Sequence, residues 1–201
     1  MPEEALSGPL QAILSNLFDW FQTAGIDGVV VGGVAVSLLG RPRFTRDADA
    51  LVMVDVDEWP TFLKSGEPFG FAPRIPDALG FARKSRVLLL KHSASGLTLD
   101  LALGCMPFEQ EAIRLSKAVT SGGITVRTPR PEHLIVMKAV AHRPQDLADI
   151  QSILEAHPRL NRALVRRWVR QFANVLEMPE LVDDLEKLLR RSAPARKKRR
   201  K

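Results

Sequence analysis

The sequence predicts an α+β protein: a small mixed sheet flanked by helices, followed by a C-terminal helical region. Three observations predict it. Val29-Val30-Val31, short and β-branched, opens onto Gly32-Gly33 and a brief helical pattern, which makes a strand, glycine turn and helix. Arg83 to Lys91 and Leu97 to Leu103 read as strands paired across His92-Ser93-Ala94-Ser95-Gly96. From Pro131 to Leu189 the pattern is helical, broken at Arg143-Pro144, His157-Pro158 and Met178-Pro179, with no strand signal of comparable strength. The expected organisation is an α/β domain over 1–128, a helical region over 129–189 and a basic, disordered tail over 190–201.

Taken in order, Ser7-Gly8-Pro9 starts a helix in which Leu10, Ile13, Leu14, Leu17, Phe18 and Phe21 recur at steps of three and four until Gly25. After the glycine turn, Val34 to Leu39 forms a turn or two of helix closed by Gly40 and Pro42. Asp49 to Val54 is the next strand. Asp55 or Asp57 caps a helix from about Glu58 to Lys64, with Pro60 in its first turn. Pro107 to Lys117 is amphipathic, and Gly122-Gly123 turns into a short strand from Ile124 to Arg127. Leu160, Leu164, Trp168, Phe172 and Leu176 are spaced for helix packing.

A chain of 201 residues with 45% apolar content can bury a real core. The net charge of +6 belongs to the tail: without residues 190–201, 21 basic residues face 23 acidic ones. Such a tail either neutralises nucleic-acid phosphates or is a solvated end. The single cysteine, Cys105, excludes an internal disulfide and a multi-cysteine metal site. Glu3 and Glu4 stand where a signal peptide needs cations, and no apolar run reaches about 20 residues. A cytoplasmic protein with no membrane contact is expected. His92, His133, His142 and His157 lack ligand-like spacing.

The chemistry centres on Arg46-Asp47-Ala48-Asp49. Residues two apart in a strand point the same way, so Asp47 and Asp49 can present both carboxylates to one side, a geometry suited to hard divalent cations. Asp100 is the lone acid in Leu97-Thr98-Leu99-Asp100-Leu101-Ala102-Leu103 and a candidate third ligand. Its alternative is an edge position or an ion pair with an arginine such as Arg83 or Arg86. Gly32 and Gly33 allow close approach of the backbone to phosphate at a helix start, or simply serve a tight turn. Arg41, Arg43 and Arg46 suit phosphate, or compensate the carboxylates. Lys138 lies in the apolar run Leu134 to Ala141 and either meets an anion or snorkels to the surface. Asp146 and Asp149, three apart, share a helix face and call for a cation between them, with Arg143 or Lys138 as candidates.

Together, Val31-Gly32-Gly33-Val34-Ala35, Arg43-Phe44-Thr45-Arg46-Asp47-Ala48-Asp49, Leu99-Asp100-Leu101, Pro131 to Lys138 and Arg143 to Ile150 resemble the minimal nucleotidyltransferases related to DNA polymerase β. Within them the chain is most similar to the abortive-infection toxin branch of type IV toxin–antitoxin systems, over roughly residues 28–155. The resemblance implies the polymerase-β-like nucleotidyltransferase fold and transfer of a nucleoside monophosphate from an NTP, with release of pyrophosphate and use of Mg²⁺ or Mn²⁺. It implies Asp47, Asp49 and Asp100 as metal ligands and catalytic residues, Asp100 lying near the acceptor hydroxyl. It assigns Lys138, also as a catalytic residue, to the nucleotide phosphates and matches Asp146 and Asp149 to the family's acidic motif on the next helix. Gly32, Gly33, Ser37 and Arg46 complete the nucleotide-binding set, Ser37 because Val34 occupies a position where the superfamily often carries a hydroxyl. Ala48 replaces a larger aliphatic residue and affects packing only.

By the same resemblance the acceptor is tRNA or another RNA, and a cognate antitoxin protein is a partner. The alternatives are transfer to a protein or a small molecule such as an aminoglycoside, or a catalytically silent RNA-binding or antitoxin-like module.

Overall fold

The computed structural model describes residues 6–42 and 44–192, so Glu3, Glu4, Arg43 and the tail beyond Ser192 lie outside the described residues. The chain divides into two compact units, one of Met1–Leu38 with Pro42–Arg130 and one of Leu39–Arg41 with Pro131–Lys201.

The first unit opens with α1 (Gly8–Ala24), which buries Leu10, Ile13, Leu14, Leu17, Trp20 and Phe21 along one face and ends on Gly25 in the left-handed region. Then come β1 (Gly28–Val30), α2 (Gly32–Leu39), β2 (Asp47–Val52), α3 (Trp59–Ser65), β3 (Phe71–Pro73), α4 (Ala78–Ser85), β4 (Val87–His92), β5 (Thr98–Leu103), α5 (Pro107–Arg114), β6 (Lys117–Ser121) and β7 (Ile124–Thr128). The main sheet has the order β1-β2-β5-β4-β3, and β6 pairs with β7 in a separate ribbon. Among the described residues only β2 and β5 run parallel; every other pairing is antiparallel.

Period-two alternation gives the sheet two unlike faces. Ala48, Ala50 and Val52 on β2, Leu88 and Leu90 on β4, and Leu99, Leu101 and Leu103 on β5 are all buried in one core with α1. Trp20 anchors that core, stacked on Phe62 at 4.5 Å and on Phe71 at 5.3 Å, with its indole N–H donated to Ser65 Oγ at 2.8 Å. The residues between those apolar positions, Asp47, Asp49, Leu89, Lys91, Thr98 and Asp100, belong to the other face.

The second unit contains α6 (Pro131–Ala141), α7 (Pro144–Ala156), α8 (Arg162–Leu176) and α9 (Glu180–Arg191). Its interior is built from Leu134, Ile135, Val136 and Ala139 of α6, Ile150, Ile153 and Leu154 of α7, Val165 and Val169 of α8, and Leu181, Leu185 and Leu189 of α9. Arg162 ties α8 to the end of α9 by donating to the carbonyls of Leu189 and Ser192. Among the described residues no helix is long and apolar enough to cross a membrane.

Several sequence expectations are corrected. Residues 83–86 are not strand: Ala78–Ser85 is α4, opened by Asp77, whose carboxylate accepts from the Gly80 amide, and closed by Arg86 at φ 59. The amphipathic segment from Pro107 ends at Arg114, and Lys117–Ser121 is a strand whose ladder with β7 is set by the Gly122-Gly123 turn. The tail cannot begin at residue 190, because α9 continues through Arg191, two cations in a last turn where the helix dipole favours them.

Candidate active site

The site face is assembled by register. Asp49 lies directly opposite Asp100, and Asp47 opposite Thr98, in the parallel pairing of β2 with β5. Directly opposed residues share a face and sit roughly 4.8 Å apart between neighbouring strands. The three aspartates read from distant parts of the sequence therefore meet on one side of the sheet, away from the core. Thr98 Oγ1 donates to Asp47 Oδ1 at 2.6 Å.

The glycine turn abuts the same carboxylates. Gly32 has φ +59, and a Cβ built there would collide with the Asp49 carboxylate. Two independent constraints, a left-handed backbone and the Asp49 side chain, thus require glycine. The Val31 amide donates to the Asp49 carbonyl at 2.9 Å, which fixes the start of α2 beside β2.

Asp100 is paired, but neither with Arg83 nor with Arg86. Arg74, which follows β3, places Nη2 2.6 Å from Asp100 Oδ1. Arg86 instead donates to the carbonyls of Leu103 and Gly104 and covers the Trp59 ring at 5.0 Å. With Asp100 turned to Arg74 and Asp47 to Thr98, the carboxylate oxygens point to separate partners. Among the described residues no group of three His, Cys, Asp or Glu side chains is gathered for a metal ion. The register, which sets Asp49 opposite Asp100 with Asp47 two positions along the same face, and the all-oxygen donor set nevertheless suit a hard divalent cation.

Ser37 is buried and donates its hydroxyl to the Gly33 carbonyl at 3.1 Å. Arg46 is exposed, its guanidinium 5.5 Å from the centre of the Phe44 ring, and Phe44 is itself 76% exposed. Arg41 belongs to the helical unit, where it meets Glu155 Oε2 at 2.6 Å.

The helical unit holds a second cluster. Lys138 Nζ lies 2.9 Å from both Asp146 Oδ1 and Asp149 Oδ2, and all three side chains are at most 6% exposed. The cation that two like charges on one helix face call for is therefore Lys138. Arg143 adds its backbone amide at 3.1 Å and its Nε at 2.6 Å to Asp146 Oδ2, closing the start of α7. Burial pushes the Asp146 carboxyl up, but the hydrogen bonds from Arg143 and Lys138 outweigh it and hold the pKa at about 2.

Arg74 and Thr98 were missed as site residues in the sequence. Arg74 lies in a proline-flanked stretch with no periodicity, and only the strand order exposes its role. Thr98 could have been found, since it precedes Asp100 by two and shares its strand face.

A five-stranded mixed sheet with an acidic pair and a glycine turn at one end defines a nucleotidyltransferase fold. The structure is similar to that of an antigenic nucleotidyltransferase-like protein from Paracoccidioides brasiliensis, with a TM-score of 0.56 at 20% identity over 90% of this chain and 93% of that one. It is also similar to the solution structure of the antibiotic-resistance factor ANT(2'')-Ia, with a TM-score of 0.58 at 16% identity over 85% of this chain and 94% of that one. A comparison with curated proteins finds no match. The family model for the nucleotidyl transferase AbiEii toxin of type IV toxin–antitoxin systems matches residues 16–200, and the chain belongs to that family. It is a nucleotidyltransferase.

Proposed function

We propose that this enzyme moves a nucleoside monophosphate from an NTP to an acceptor hydroxyl on RNA, as the toxin of a toxin–antitoxin pair. The observation that supports this reading is the opposition of Asp49 and Asp100 across β2 and β5, with Gly32 pressed against Asp49. In this reading the triphosphate lies along the backbone of Gly32 and Gly33, at the start of α2, where helix N–H groups favour phosphate oxygens. Asp47 and Asp49 would hold divalent cations and Asp100 would join them on the acceptor side. Such cations, when bound, neutralise charge on the phosphates and on the attacking and leaving oxygens.

Asp100 orients the acceptor hydroxyl and takes its proton as the oxygen bonds to the α-phosphorus. The bond from that phosphorus to the β-phosphate oxygen breaks, and pyrophosphate leaves with the electron pair. The protein's contribution is positioning and fixed charge. Arg46, exposed beside the carboxylates, is a phosphate contact in the same proposal. The proposal also keeps Lys138 for the nucleotide phosphates: an ammonium has three donors, and Asp146 and Asp149 take two of them. A cognate antitoxin protein, which the family implies, and a cytoplasmic location, which the single free Cys105 fits, are parts of this proposal.

The test is incubation of purified protein with labelled NTPs and Mg²⁺ in the presence of separate RNA, protein and small-molecule pools. Label in the RNA pool supports the proposal. Label confined to protein or small molecules rejects the acceptor class, and label in none rejects the reaction.

A further inference from the structure

Two rows of residues cross the site face. In one, Asp49 opposes Asp100, Asp100 opposes Leu89, and the Arg74 amide donates to the Leu89 carbonyl at 3.0 Å, so that Arg74 extends the β3–β4 ladder by one position. In the other, Asp47 opposes Thr98 and Thr98 opposes Lys91. Each row begins with a carboxylate on β2 and ends with a cation on the β4 and β3 side. The glycine turn abuts the first end, at Asp49. Asp100 stands between, with the nucleotide side to one flank and two cations to the other.

We propose that Arg74, with Lys91 beside it, is the specificity-determining anion contact on the acceptor side of Asp100, selecting an acceptor that carries a phosphate next to its reacting hydroxyl. The inference rests on the catalytic reading above. Arg74 and Asp100 are 2.6 Å apart with side chains 32% and 44% exposed, and ion pairs this open to water are weak and readily exchanged. While Arg74 holds Asp100 Oδ1, that oxygen is not available to a cation beside Asp47 and Asp49. Once Asp100 turns, the guanidinium stays beside the site because its backbone is fixed to β4, and it needs a new anion. A phosphate diester matches its fork of donors. A polycationic acceptor would instead be repelled by Arg74 and Lys91 together.

The test uses the full chain and a single-stranded RNA oligonucleotide with a free 3′ hydroxyl, its binding followed by fluorescence anisotropy at several salt concentrations. Arg74→Gln should weaken binding at least threefold and lower the slope of log affinity against log salt by about 0.7 to 1, the signature of one lost phosphate contact. Lys91→Gln should do the same, and Arg74→Lys should keep the slope. Titration with Mn²⁺ alone should show tighter binding to Arg74→Gln than to the parent, since Asp100 has lost its competitor. Unchanged RNA affinity and slope in both glutamine variants overturns the proposal, and should Arg74→Gln fail to fold, the Lys91→Gln and Arg74→Lys pair decides. Label transfer measured on the same preparations separates the two claims. Transfer by the parent with unaltered RNA binding by Arg74→Gln rejects the role of Arg74 alone, whereas no transfer to any acceptor rejects the underlying reaction and this inference with it.

Discussion

Asp49 and Asp100 face each other across the parallel pairing of β2 with β5, in register, on the side that is not core. A residue two positions along either strand shares that side, which is how Asp47 and Thr98 join them. If this opposition is the seat of catalysis, Asp49→Asn should lower metal-dependent turnover by on the order of 10²-fold or more, while a carboxamide of the same shape leaves the fold intact. Turnover with Mg²⁺, together with a thermal unfolding curve, checks both halves. A variant that turns over normally would remove Asp49 from the mechanism.

Gly32 offers a sharper probe of the turn. Gly32→Ala forces a Cβ into the Asp49 carboxylate as well as into a left-handed backbone, whereas Gly96→Ala, at φ +72 with open space around it, meets only the second problem. Gly96→Ala should cost about 1 to 2 kcal/mol and leave turnover alone. Gly32→Ala should cost more and also lower activity, read by urea unfolding and NTP turnover side by side.

The buried trio in the helical unit predicts a large stability effect. Lys138→Met removes the cation shared by two side chains that are almost wholly buried, and breaking a buried pair from one side costs about 3 to 5 kcal/mol. Replacing Asp146 and Asp149 by Asn in the same chain should recover part of that loss. Urea unfolding of the single and triple variants measures both.

Acid should act on the two units in different ranges. The Asp146 pKa lies below its ordinary value, so the unfolded chain binds the proton more readily. The carboxylate's contribution, about 2 kcal/mol, is complete above pH 4 and disappears as pH falls through about 2. His92 acts in a higher range. It is wholly buried, with Nε2 2.9 Å from Asn16 Nδ2 and Nδ1 2.8 Å from Ser95 Oγ, and burial lowers its pKa despite the opposing effect of a hydrogen bond to the Phe69 backbone carbonyl. The neutral ring is the folded form, so its contribution is complete above about pH 6.5 and declines as pH falls below that value. Melting temperatures of the parent and of His92→Gln between pH 7.5 and 5 should converge as pH drops.

What could be read from the residues follows from how local each signal is. Asp100 stood out because an acid among leucines in a strand demands a partner, and Asp47 with Asp49 because their spacing places them on one side. Their opposition could not be read, since pairing in register between strands so far apart in the chain leaves no periodic trace. Arg74 was invisible for the same reason: its partner is set by strand order. Helix α4 was missed because Ala78–Ser85 is short and carries Gly80, a poor helix former, so that its end passed for the start of a strand. Strand β6 was missed because none of its five side chains is buried and no alternation marks it.

The parallel pairing of β2 with β5 has a consequence for the timing of activity. Asp47 and Thr98 are 51 residues apart, with β3 and β4 intervening, and contacts that close such long loops form late. A ribosome that has released only the first 95 residues has made both members of the acidic pair but not the strand that opposes them. A partly synthesised chain that stops short of Thr98 therefore lacks Asp100, and the acidic constellation is completed only when β5 has been made, about halfway along the chain.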